Sequence, residues 1–125
     1  MKKILLLLAI VSLLIPISVN AEGTLLFQAK CAEGAKQFVY GHSNVANYIS
    51  HYNKKLDKCF ALVIFGLSPD KYGRTRPDYL WRLYNVLEGT LIGEGDFVKE
   101  VCYVGEKECK SPEEFEVLLK PYMEE

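Results

Sequence analysis

The first 21 residues constrain this chain more than any other stretch. Lys2 and Lys3 open it with positive charge, Ile4 to Ile15 is apolar apart from Ser12, Pro16 ends the run, and Val19-Asn20-Ala21 forms a small-residue cleavage site. That order is the architecture of a secretory signal. The run is shorter than the roughly 20 apolar residues that span a bilayer. Cleavage after Ala21 would leave Glu22 to Glu125, a mature chain of 104 residues. A chain of this size is expected to be one domain, periplasmic or secreted, in a compartment where disulfides persist. A lipoprotein is disfavoured, because the first cysteine, Cys31, lies well beyond the apolar run.

Removing the signal takes away two lysines and no acid, leaving 13 basic against 16 acidic side chains and a net charge near −3. That balance argues against nucleic acid, which selects basic stripes, and against anionic membrane surfaces, which attract Lys/Arg clusters. No membrane span is expected after cleavage.

Cys31, Cys59, Cys102 and Cys109 all fall in the mature part. An even number in an exported chain reads as two disulfides, and four cysteines allow three pairings. The favoured pairing is Cys31–Cys59 with Cys102–Cys109. The second pair flanks Tyr103-Val104-Gly105-Glu106-Lys107-Glu108, whose Gly-Glu-Lys stretch can reverse the chain. The first would tie an N-terminal helix to a central strand. No close C-x-x-C pair exists for structural zinc or for thiol redox chemistry.

Helical spacing of Phe27, Cys31, Ala35 and Phe38 predicts a helix over 24–40, capped by Thr24 and stopped at Gly41. Residues 45–52 are aromatic and β-branched and predict a strand. Residues 53–58 read as a polar turn. Cys59 to Phe65 is apolar on both faces, as a doubly covered strand is. Residues 66–78 hold two prolines and two glycines and predict a loop. Further strands are expected at 79–87, 90–94 and 97–104, with a tight turn at Glu88-Gly89 and a bulge or frayed end near Gly93 and Gly95. Ser111-Pro112-Glu113-Glu114 predicts a capping box. Phe115, Leu118, Leu119 and Tyr122 form an apolar stripe on the final helix, and Pro121 is expected to end it. The expected class is α+β: an antiparallel sheet of four to five strands, flanked by an N-terminal and a C-terminal helix.

The segment His51-Tyr52-Asn53-Lys54-Lys55-Leu56-Asp57-Lys58-Cys59-Phe60 resembles a stretch of an uncharacterised family of small exported bacterial proteins, in which Asn stands at the place of Asp57. Their C-termini are similar to Ser111 to Phe115 and to Lys120 to Met123. The resemblance implies an exported domain and supplies no mechanism.

Candidate binding residues follow from composition. Tyr52, Lys54 and Lys55 combine aromatic and cationic side chains in one turn, and Arg74 and Arg76 do so in the long loop beside Tyr72 and Tyr79. Such residues carry much of the energy at interfaces. The plainer readings are turn chemistry for the first group and solvated loop for the second. His42 and His51 match no metal motif, and Ser43 lacks the Gly-x-Ser-x-Gly setting of a hydrolase nucleophile. No catalytic residue, metal or cofactor is therefore expected. The leading expectation is a small exported protein that binds an envelope protein, a peptide or a cell-wall component. The alternative is an inhibitor or small hydrolase acting in the cell envelope.

Overall fold

The computed structural model describes residues 18–66 and 80–124. Helix α1 spans Ser18–Tyr40 and is followed by strands β1 (Val45–Asn53), β2 (Lys58–Phe65), β3 (Leu80–Asn85), β4 (Thr90–Asp96), β5 (Val101–Val104) and β6 (Lys107–Glu108), then helix α2 (Pro112–Met123). The six strands form one antiparallel sheet in chain order, β1 to β6. The class is α+β as expected, with six strands in place of four to five. The extra one is the two-residue β6, too short to register as a pattern of alternating side chains.

The two helices lie on opposite faces. β2 is the reason the sheet can be covered twice, since its side chains alternate between two apolar sets. Cys59, Ala61, Val63 and Phe65 join Cys31 and Ala35 of α1, together with Tyr84 and Val86. Phe60 joins Leu83, Val104, Phe115 and Leu119 under α2. In and just after β3, Trp81 and Leu83 pack toward α2, and Leu80, Tyr84 and Val86 toward α1. Leu87 does not belong with them; it sits exposed in the β3–β4 turn.

Both expected disulfides are present. Cys31–Cys59 joins α1 to β2 with Cα atoms 5.4 Å apart. Cys102–Cys109 closes the β5–β6 hairpin at 5.0 Å, and Cys109 N donates to Cys102 O across it.

Several boundaries differ from the sequence reading. α1 begins at Ser18, so Thr24 is not its cap. Residues 97–100 form a turn and not the start of β5. Asp96 Oδ1 accepts from the Val98 and Lys99 amides at 3.2 and 3.1 Å, and this local bonding reverses the chain. Pro121 lies inside α2, which runs on to Met123. At the start of α2, Ser111 Oγ accepts from Glu114 N at 3.2 Å, but the Glu114 carboxylate reaches past the cap residue to Lys110 N at 2.7 Å.

The bulge near Gly93 is real. Leu83 pairs with Gly93 and Tyr84 with Leu91, so Ile92 is the extra residue. A β-carbon at Gly93 would stand 2.9 Å from Tyr103 O, which is why this position is glycine.

Candidate functional site

The β1–β2 turn, residues 54–57, is built by Asn53 just before it and by Asp57 at its end. Asn53 is fully buried. Its Oδ1 accepts from Leu56 N at 2.9 Å, which shapes the turn. Its amide nitrogen points the other way and donates to Pro121 O and Tyr122 O at 2.8 and 3.1 Å. These carbonyls belong to the last turn of α2, and the carbonyls at a helix end need partners from outside the helix. Asp57 closes the turn at φ 50°, a left-handed conformation that Asn and Asp tolerate better than most side chains.

Tyr52 is engaged on three sides. Its hydroxyl donates to Asp57, and its ring stacks on Phe27 with centroids 5.1 Å apart. The Gln28 side chain takes both of its backbone groups: Gln28 Nε2 donates to Tyr52 O at 2.9 Å, and Tyr52 N donates to Gln28 Oε1 at 3.1 Å. β1 is an edge strand. The Gln28 amide thus fills the place that a neighbouring strand would take at Tyr52. Bonding to the Asp57 carboxylate, then burial and the carboxylate charge, raise the Tyr52 pKa above its ordinary value.

Beside this turn lies a cleft of about 530 Å³ on the α2 side of the sheet, lined by Lys55, Leu56, Lys58, Phe60, Ile92, Pro121 and Tyr122. Phe60 is the buried floor and meets the Tyr122 ring edge-on at 5.3 Å. Leu56, Ile92 and Pro121 extend the apolar wall. Two lysines supply the positive charge; Lys58 Nζ is also 3.9 Å from Glu88 in an exposed pair. The Asn53 bonds hold the two halves of the wall together, because they fasten the hairpin turn to the end of α2.

Of the sequence-predicted binding residues, Lys55 lines the cleft. Lys54 is exposed on the turn beside it, and Tyr52 serves the packing of α1 on β1. Arg74 and Arg76 lie outside the described residues. Sequence reasoning does not single out Lys58, Phe60, Ile92, Pro121 and Tyr122. They lie on three elements, β2, β4 and α2, and no spacing rule joins residues 58, 92 and 122.

The histidines fall elsewhere. His42 Nδ1 lies 2.9 Å from Phe38 O at the end of α1, with its ring against Phe38, Tyr84 and Phe65. His51 stands in β1 opposite Phe60 and is not part of the cleft lining. Among the described residues, no group of three or more His, Cys, Asp or Glu side chains is placed to hold a metal. Across β3 and β4, Arg82 Nε donates to Glu94 Oε2 at 3.0 Å and its guanidinium lies 5.5 Å from the Phe65 ring centre. That pair braces the sheet.

Searches against protein-family models, curated proteins and solved structures gave no match to this chain. Among the described residues, no helix is long and apolar enough to cross a membrane.

Proposed function

We propose that this is an exported protein, periplasmic or secreted, whose activity is binding, and that the cleft between the β1–β2 turn and the end of α2 is its ligand site. One observation carries the reading. The cleft combines a floor of Phe60, Leu56, Ile92 and Pro121 with the ammonium groups of Lys55 and Lys58. A mostly apolar pocket with a few polar groups is the usual form of a binding site. Its chemistry suits a ligand with an apolar body and an anionic end, as at the C-terminus of a peptide ending in Leu or Phe. The two disulfides fit an oxidising compartment, and the secretory signal in the sequence supports export.

The test is an NMR titration of the protein recovered from the exported fraction, its N-terminus read by intact mass. Peptides ending in Leu or Phe are added with either a free or an amidated C-terminus. The expected result is a saturable shift of Ile92 and Tyr122 resonances with the free acid, weaker with the amide and lost in Lys55→Glu/Lys58→Glu. No saturable shift with any peptide, or shifts confined to residues away from the cleft, overturns the reading. A mass that retains residues 1–21 overturns cleavage of the signal.

A further inference from the structure

The first edge of the sheet is open over a short stretch, and the register says which groups it offers. β1 has β2 on one side only. Tyr52 N and O bond to Gln28, so the backbone groups of Tyr52 point away from β2. Backbone polar groups alternate sides along a strand, and the β1–β2 pairing runs without a shift from Asn47 to Asn53. The N–H and C=O of Tyr48 and Ser50 therefore point outward as well. Tyr48 N donates to the exposed side chain of Asn47 at 2.9 Å, a bond that a rotation of Asn47 releases. The open stretch is centred on Ile49 and closed on both sides of it. Gln28 fills the place at Tyr52, and at Ala46 the pairing slips by one residue, an irregularity of the kind that bends a strand. On the α2 face beside this edge lies a groove of about 330 Å³ whose apolar lining is Ile49, Leu62, Leu119 and Met123. Ile49 is 54% exposed.

We propose that β1 pairs antiparallel with β1 of a second copy of this chain, about a two-fold axis at Ile49, joining two six-stranded sheets into one. Outward backbone groups on a strand edge are satisfied by another extended chain, and the register selects this chain over a foreign peptide. With Ile49 on the axis, Tyr48 of each copy lies opposite Ser50 of the other, and each such pair exchanges both of its N–H···O=C bonds. Ile49 meets its own counterpart in the more closely spaced kind of pair, so the two apolar grooves run together. Ala46 of each copy comes opposite Tyr52 of the other. The strand thus bends away where the Gln28 side chain stands, whereas a regular peptide strand would run into that amide. The axis also sets the two α2 helices antiparallel on one face of the joined sheet. The exposed residues that border each groove carry both signs, Glu116 and Glu124 with Lys120, as a self-complementary contact requires. The inference does not depend on the cleft as a ligand site, which shares no lining residue with this groove.

The experiment is sedimentation equilibrium of the protein recovered from the exported fraction, from about 5 μM to about 1 mM, a span that covers the affinity of a small interface. A reversible equilibrium between monomer and dimer is expected. Hydrogen exchange at the Tyr48 and Ser50 amides should slow by about fivefold or more at the upper concentration, because dimer formation covers them. Ser50→Pro removes an outward N–H, a change that an edge strand tolerates, and should weaken the dimer by about tenfold or more. Ile49→Lys sets two like charges opposite each other and should weaken it by about as much. Val117→Lys, at a 60% exposed position of α2 outside the groove, is the control and should change nothing. Circular dichroism of each variant confirms the fold, and Ile49→Lys carries the test if Ser50→Pro does not fold. A monomer over the whole range, a dimer indifferent to both changes, or an equal loss with Val117→Lys overturns the inference. So does a dimer in which Tyr48 and Ser50 exchange as fast as in the monomer, or a foreign extended peptide held on β1 by a chain that stays monomeric. Loss of peptide binding in the cleft with the dimer intact would overturn only the ligand site.

Discussion

The side-chain amide of Asn53 donates to the backbone carbonyls of Pro121 and Tyr122 at 2.8 and 3.1 Å, joining the first hairpin to the last turn of the chain. Residues 68 and 69 positions apart are thereby fixed at the mouth of the cleft. Pro121 has no N–H and so forgoes the bond to residue 117 that another residue would make. The Asn53 amide compensates this weakened helix end. Asn53→Ala should destabilise the protein by about 2–4 kcal/mol, because it leaves two helix carbonyls and the Leu56 amide without their partner. Asn53→Asp should also destabilise, since a carboxylate cannot donate to carbonyls. Its folded-state pKa would be raised, so part of the loss should return as pH falls through the carboxylate range. Urea unfolding at neutral and acid pH measures both.

The disulfides differ in what they restrain. Cys31–Cys59 spans 28 positions and Cys102–Cys109 spans 7. The chain-entropy model gives roughly 3.6 and 2.5 kcal/mol for the two rings. Cys31→Ala/Cys59→Ala should therefore lower the urea midpoint more than Cys102→Ala/Cys109→Ala, by about 1 kcal/mol or more. Equal shifts would show that ring size does not govern the effect.

Tyr52 gives a pH-dependent signature. Hydrogen bonding to Asp57 raises its pKa, with burial and the Asp57 charge acting in the same direction. A folded-state value above the unfolded one means that the contribution is fully present below the ordinary tyrosine range near pH ~10. It is lost as pH rises through the raised value. Spectrophotometric titration should therefore show Tyr52 ionising above the ordinary tyrosine range. Asp57→Asn should move that ionisation back toward the ordinary range while keeping the turn, because Asn accepts the left-handed conformation at φ 50°. An unchanged titration would refute the assignment.

Gly93 is required by the close approach of β5. Its missing β-carbon would lie 2.9 Å from Tyr103 O and 3.1 Å from Val104 Cγ2. Gly93→Ala should destabilise by about 1–3 kcal/mol, as overpacking of a rigid site does. Gly23→Ala, where nothing stands within 4 Å, should have little effect. Thermal unfolding of the two variants makes the comparison.

The sequence by itself determined what depends on neighbouring residues. The apolar residues on both faces of Cys59–Phe65 are a local pattern, so they foretold a strand covered on both sides. Ser111 and Glu114 act within one helical turn, and the β5–β6 disulfide closes a ring short enough to read from spacing. The capping at Asp96 was equally local, but a side chain bonding its own backbone leaves no hydrophobic pattern, and residues 97–100 read as strand. Tertiary structure alone decided the site. Asn53 reads as a turn residue because one of its bonds is local; its other two go to residues 121 and 122. Gln28 covers the backbone of Tyr52 at the sheet edge, a pairing between residues 24 positions apart. The cleft draws on residues 55, 60, 92 and 122. Such groupings follow from strand register and from where each helix crosses the sheet, and these depend on long-range packing that no window of sequence contains.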